Sequence, residues 1–248
     1  MYKEHKYLMI PENPNTIIWR YMDFWKFEKL IESQNLYFST IKNMGDQFEG
    51  RIPDSIAETW IKNLNNKEYT SVANLIELLR SWDKILNSNV LSWNISDNES
   101  FALWKVYTSS PSAISIKSNI QLLIDALKKN ELWQFIGVVN YFSNNADFRF
   151  ESNAMNLIFN KFDYYRFENE LRIYNVIPAT IKQKYNYFKE GDSIEVPVDL
   201  NKLIDSIYLA PNATENEYYE VQKLLDKHNL KKDVYISGIN DKWSNNYD

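Results

Sequence analysis

Thr16-Ile17-Ile18-Trp19-Arg20-Tyr21, followed by Asp23 and then by Phe24, Phe27, Leu30 and Ile31, sets the opening of the fold. The first six residues are β-branched, aromatic or flanked by such residues, and they lie between Pro14 and Asp23, a composition that predicts a strand. Asp23 suits a helix N-cap, and the apolar residues after it recur at the three- and four-residue spacing of one helix face. A helix to about Gln34 is therefore expected, with Leu36 to Thr40 returning to strand. Strand, helix and strand joined this closely form one packed unit of an α+β fold.

Working outward, Met44-Gly45-Asp46-Gln47-Phe48-Glu49-Gly50 carries two glycines and reads as a loop. Helices expected at about 55–63 and 71–86 make a helical insertion over about 54–88. Further strands are expected at Val90–Ile95, Ala113–Lys117, Phe135–Tyr141, Leu171–Ile177, Ser193–Pro197, Ser206–Leu209 and Asp233–Ser237. Ser96 and Glu99 have capping-box spacing and predict a helix through about Tyr107. The remaining helices are expected at Gln121–Lys129, Ser152–Phe167 and Glu215–His228. The result is one domain: a central mixed or antiparallel sheet, or sheets, with flanking helices, a core over about 16–239 and polar termini at 1–14 and 240–248.

Composition narrows the chemistry. The 28 Lys and Arg against 33 Asp and Glu give no basic excess for nonspecific capture of a phosphate backbone. With no cysteine and two isolated histidines, His5 and His228, no thiolate or His-rich metal site can be written, and no bound metal is expected. Five glycines among 248 residues leave no P-loop or Rossmann phosphate cradle. No apolar run approaches 20 residues, and the first residues do not have signal-peptide character, so the expected location is the cytoplasm, away from membrane.

The chemistry-bearing segment is Phe167-Glu168-Asn169-Glu170-Leu171-Arg172. Extended, it would place Glu168, Glu170 and Arg172 on one face and Leu171 and Ile173 on the other. Two carboxylates kept charged by a guanidinium suit stabilisation of an oxocarbenium-like transition state; the same pattern also suits a salt bridge on a solvated edge strand. Arg20 is flanked by Trp19 and Tyr21 and offers a fork for a ligand phosphate or carboxylate, or a structural partner for a glutamate. Ser100, Trp104 and Tyr107 share a helix face that reads either as a stacking surface or as core. Ser39 and Thr40 can bind a ribose or cap the following turn, while Asp46 and Glu49 can bind a cation or simply belong to a surface loop.

Several phrases in order resemble the bacterial family known as domain of unknown function 2971. They are Trp19-Arg20-Tyr21, Leu36-Tyr37-Phe38-Ser39, Gly45 to Gly50, Glu99 to Tyr107, Phe167 to Arg172 and Leu203 to Pro211. A more distant resemblance is to ADP-ribosyltransferases: Arg20 resembles the arginine of their first strand, Ser39 their strand serine, and Glu168-Asn169-Glu170 their Glu-x-Glu. That likeness implies NAD as a substrate and an acceptor that is a protein or nucleic acid, in a toxin or phage-defence setting. It implies that Glu170 holds the nicotinamide ribose and stabilises the oxocarbenium, that Glu168 positions the acceptor, and that Arg20 binds phosphate. Arg20, Ser39, Trp104, Tyr107 and Arg172 form the expected nucleotide-binding set. Two other readings stay open: a noncatalytic nucleotide- or partner-binding module, and a Mg-dependent nuclease using Asp46, Glu49, Glu168 and Glu170.

Overall fold

The computed structural model describes residues 2–6, 8–46, 49–50, 58, 84–109, 112–128, 131–143, 155–178 and 192–240. The helices expected within 54–88 fall almost wholly outside these residues. The described elements mix strands and helices. In chain order they are β1 (Tyr2–Lys3), β2 (Ile17–Asp23), α1 (Phe24–Ser33), β3 (Asn35–Thr40), β4 (Asn89–Ile95), α2 (Phe101–Tyr107), β5 (Ala113–Asn119) and α3 (Ile120–Leu127). They continue with β6 (Trp133–Val138), β7 (Asn140–Phe142), α4 (Met155–Ile158), β8 (Asn160–Phe162), β9 (Glu170–Val176), β10 (Ile194–Pro197), α5 (Leu200–Leu203), β11 (Ser206–Leu209), α6 (Glu215–Lys227) and β12 (Asp233–Ile236). The chain divides into two compact units, one made of Met1–Pro11, Tyr37–Ser92 and Glu131–Glu195, the other of Glu12–Leu36, Trp93–Asn130 and Val196–Asp248. Among the described residues no helix is long and apolar enough to cross a membrane.

The second unit contains the opening strand. β2 pairs antiparallel with β5 along its whole length, from Ile17 opposite Asn119 to Asp23 opposite Ala113. β11 extends this sheet antiparallel to β5, and β12 lies parallel to β11. α1 follows as the apolar spacing predicts, burying Phe27, Leu30 and Ile31, and ends at Gln34 in the left-handed region (φ 52°). The Asp23 carboxylate does not cap α1; it accepts from the N–H and hydroxyl of Ser109 at 2.7 and 2.9 Å. The helix expected after Ser96 starts later, because Ser100 is the residue whose hydroxyl accepts from Leu103 N–H (3.3 Å). Ser96 instead closes a local turn with Asn98. Trp19, Tyr21, Leu103, Trp104, Ala113 and Ala210 pack into the core of this unit.

In the first unit β6 is central, with β1 parallel on one side and β9 antiparallel on the other. The strand expected from Phe135 to Tyr141 is divided after Val138. There Val139 N–H donates to Glu170 C=O (2.9 Å), and Asn140 turns away to pair in parallel with β8. The long helix expected over Ser152–Phe167 is likewise broken, described only as the short α4, then β8, then a 3-10 turn at Asp163–Glu168. Pairing of Asn140 with Asn160, including a side-chain hydrogen bond of 2.8 Å, outweighs helix propensity here. Gly137 permits a close approach: a Cβ there would lie 3.1 Å from Leu8 Cβ and 3.2 Å from the Phe159 ring. Ile41, Ile85, Val90, Phe142, Leu157, Ile158 and Phe159 form the apolar core of this unit.

Candidate active site

The first unit holds a closed network of charges around β9. The strand begins at Glu170, so Glu168 is not on it: Glu168 ends the 3-10 turn, and Asn169 adopts a left-handed conformation (φ 37°) between the two glutamates. Within the strand, alternation puts Glu170 and Arg172 on one face, and Arg172 Nε donates to Glu170 Oε1 at 2.6 Å. The solvated edge strand does not occur. β9 pairs with β6, Glu170 is 2% exposed and Arg172 is wholly buried.

Arg172 uses every N–H it has. Besides the Nε bond, Nη2 donates to Glu170 Oε2 (2.9 Å) and to Glu49 Oε1 (3.0 Å), while Nη1 donates to Glu49 Oε2 (2.9 Å) and to the Ile158 carbonyl (2.5 Å). Two carboxylates thus grip one guanidinium in paired, charge-assisted bonds. Glu49 reaches this position from a loop end fixed by Gly50, whose φ of 68° and tight fit against Ile41 and Ile85 (a Cβ would lie 3.0 Å from each) both favour glycine.

Lys161, from β8, is the second cation. Its Nζ lies 2.6 Å from Glu168 Oε2, 3.0 Å from Glu49 Oε1 and 3.6 Å from Glu170 Oε2. The Ser92 hydroxyl donates to Glu170 Oε1, and Glu170 N–H donates to the Tyr141 hydroxyl oxygen (3.0 Å). Burial alone would push the Glu170 carboxyl up, yet the charge and hydrogen bonds of Arg172, with Lys161 and Ser92, hold it down at about 2. Burial also works against the charged forms of Lys161 and Arg172, and their glutamate partners overcome it, raising both above their ordinary values. The Tyr141 hydroxyl is pushed up by burial and by the Glu170 charge. Among the described residues, three carboxylates and two cations meet in this buried network. A carboxylate held ionised and fixed in this way can stabilise positive charge developing on a bound molecule without reorganising.

Lys161, Ser92 and Tyr141 were not singled out from sequence. Ser92 is a single polar residue between Leu91 and Trp93, and Lys161 and Tyr141 each follow an asparagine, so none carries a motif of its own. Asp46 is buried near the same loop, its carbonyl accepting from Glu49 N–H (3.2 Å). Glu49, Glu168 and Glu170, grouped for a magnesium ion in the nuclease reading, turn instead to Lys161 and Arg172. Among the described residues no group of His, Cys, Asp or Glu is arranged to hold a metal ion. Ser39 sits in β3 opposite Val90, its hydroxyl donating to the Thr40 carbonyl (3.2 Å).

Arg20, Trp104 and Tyr107 belong to the second unit. Arg20 is half-buried in β2 opposite Ile116; burial brings its guanidinium down to about 10, and nearby Tyr107 acts in the opposite direction. Tyr107 is 44% exposed, whereas Trp104 is 3% exposed, so the expected common face is divided between solvent and core. Trp104 packs edge-on to Tyr21, with ring centres 5.0 Å apart, and its indole N–H donates to Glu99 Oε2 at 3.0 Å. Ser100 caps the helix, and its own N–H donates to the Tyr21 hydroxyl (2.8 Å).

No family model matches the chain, so the likeness to domain of unknown function 2971 stands on the quoted phrases alone. No curated protein matches it in sequence. Among solved structures it is similar to Thermus sp. 2.9 DarT in complex with NAD+, at 12% identity and a TM-score of 0.42, over 92% of this chain and 97% of that one. The same protein in complex with carba-NAD+ aligns at 10% identity and a TM-score of 0.41, again over 92% and 97%. In complex with ADP-ribosylated ssDNA it aligns at 11% identity and a TM-score of 0.37, over 90% and 95%.

Proposed function

We propose that this protein is an ADP-ribosyltransferase-like enzyme that consumes NAD and modifies a protein or nucleic acid. The observation that carries this reading is the Glu170 carboxylate, buried, held ionised at about 2 and fixed by Arg172, Lys161 and Ser92. In the reaction the bond between the ribose C1′ and the nicotinamide nitrogen breaks, and its electron pair leaves with nicotinamide. Positive charge then develops on the ribose, where a fixed anion lowers the barrier. The acceptor forms the new bond to C1′ and gives its proton to a base. Glu170 supplies the anion and Glu168 positions the acceptor. Arg20 binds a phosphate of NAD, with Ser39 and Tyr107 as further contacts. Arg172, its donors committed, acts by orienting Glu170, and Trp104 acts by supporting Tyr107 on its helix. A cytoplasmic toxin or phage-defence role and kinship with domain of unknown function 2971 belong to the same reading.

The committed donors of Arg172 favour a second reading, in which the network only stiffens a noncatalytic nucleotide- or partner-binding module. Incubation with labelled NAD and cell lysate, comparing the native chain with Glu170→Gln, separates the two. The transferase reading expects nicotinamide release and label transfer from the native chain, falling about 10²- to 10³-fold in a variant that still melts cooperatively. Equal activity in both, or none in the native chain, favours the module.

A further inference from the structure

We infer that Lys161 is a positioning residue: it keeps Glu168 and Glu170 charged together and turned toward one point. Only the consequence for catalysis rests on the transferase reading above; the pairing itself does not. Arg172 cannot do this work, because its five donors go to Glu170, Glu49 and the Ile158 carbonyl. Lys161 reaches Glu168, at 2.6 Å, and lies 3.6 Å from Glu170. The left-handed Asn169 takes Glu168 off the strand, so strand alternation does not align the two glutamates. A shared cation does so.

The amine is also enclosed. Its side chain is 5% exposed, and the Tyr165 ring covers Nζ at 4.7 Å, so water is poorly placed to take its role. Among the described residues, the charged and titratable groups facing it are Glu49 from the loop, Glu168 and Tyr165 from the 3-10 turn, Glu170 and Arg172 from β9, and Tyr141 from β7. Without Lys161, the described cation left beside the three buried carboxylates is Arg172, which reaches Glu49 and Glu170. Like charges at that spacing in low dielectric do not all stay ionised; one takes a proton.

The test compares the native chain with Lys161→Met, Lys161→Arg and the charge-compensated double variant Lys161→Met/Glu168→Gln. Glutamate carboxyl carbons are labelled with carbon-13 and followed by NMR from pH 4 to 9. Lys161→Met is expected to show a carboxyl titrating about two pH units or more above ordinary glutamate. That titration should be absent from the native chain, from Lys161→Arg and from the double variant. A Lys161→Met titration like that of the native chain overturns the inference. If Lys161→Met does not fold, thermal melting decides: the double variant should melt higher than the single one, and an equally unstable double variant overturns the inference.

NAD consumption, measured in parallel, keeps the two proposals apart. A native chain that leaves NAD intact defeats the transferase reading, while the carboxyl titrations still decide the role of Lys161. If the native chain consumes NAD, the acid limb of the kcat profile should move toward alkaline pH in Lys161→Met and return in Lys161→Arg. A profile that only scales down, with no shift, assigns Lys161 to structure and overturns the inference.

Discussion

Arg172 and Arg20 each lie within a strand, and the protein treats them in opposite ways. Arg172 is wholly buried in the first unit, with two carboxylates and a carbonyl occupying its donors. Arg20, in the second unit, is half-buried beside the exposed Tyr107, and its guanidinium is lowered by burial to about 10, still cationic at neutral pH. An arginine saturated by its own chain fixes the position of other groups. Arg20 instead stands beside an exposed ring in the other unit, half-buried rather than enclosed. The contrast separates a guanidinium locked into a buried charge network from one that lies half-buried in the other unit.

The largest test of that contrast is Arg172→Met. It leaves Glu49 and Glu170 buried with Lys161 as their cation, and a loss of about 3–5 kcal/mol in urea denaturation is expected. A loss below 1 kcal/mol would place Arg172 with Arg20. Next comes acid sensitivity. Glu170 titrates lower in the folded chain than in the unfolded one, so its contribution is present above pH 4.5 and is lost as pH falls toward about 2. Stability measured across this window should fall less steeply in Glu170→Gln than in the native chain. On the transferase reading, Arg20→Gln should weaken NAD binding about tenfold to a hundredfold by calorimetric titration in a variant that still melts cooperatively. Unfolding of this variant, with binding intact in its folded fraction, would break the comparison from the other side. The smallest effect is Tyr107→Ala, expected within about 0.5 kcal/mol of native stability because the ring is already exposed.

The second unit was the more legible of the two in sequence. Ile17 to Tyr21, Ala113 to Lys117 and Ser206 to Leu209 each carry two or more β-branched or aromatic residues, and the spacing of Phe27, Leu30 and Ile31 marks one helix face. Local pattern and tertiary packing agree there. In the first unit they do not. Asn160-Lys161-Phe162 is too short for a period of two to show, and its pairing with Asn140 to Phe142 crosses a long stretch of chain. The helix expected to run through it had local propensity on its side and lost to that pairing. The candidate site was legible in the same partial way. Glu168, Glu170 and Arg172 stood out by their spacing, although Glu168 joins the network from a turn. Glu49 drew notice as a loop acid with a different partner in view. Lys161 and Ser92 gave little sign, since a charge partner supplied by a distant segment leaves no mark on the residues beside it.

The geometry of Arg172 also bears on how this protein can change over generations. Glu49, Glu170 and Arg172 share four charge-assisted contacts through one guanidinium, so a substitution at any one strands a buried charge at the others. The three codons are therefore expected to drift together or not at all, although Glu49 and Arg172 are separated by more than a hundred positions. A diverging lineage can vary an exposed side chain such as Tyr107 one step at a time. To move its anionic centre it must cross a valley that single steps do not bridge.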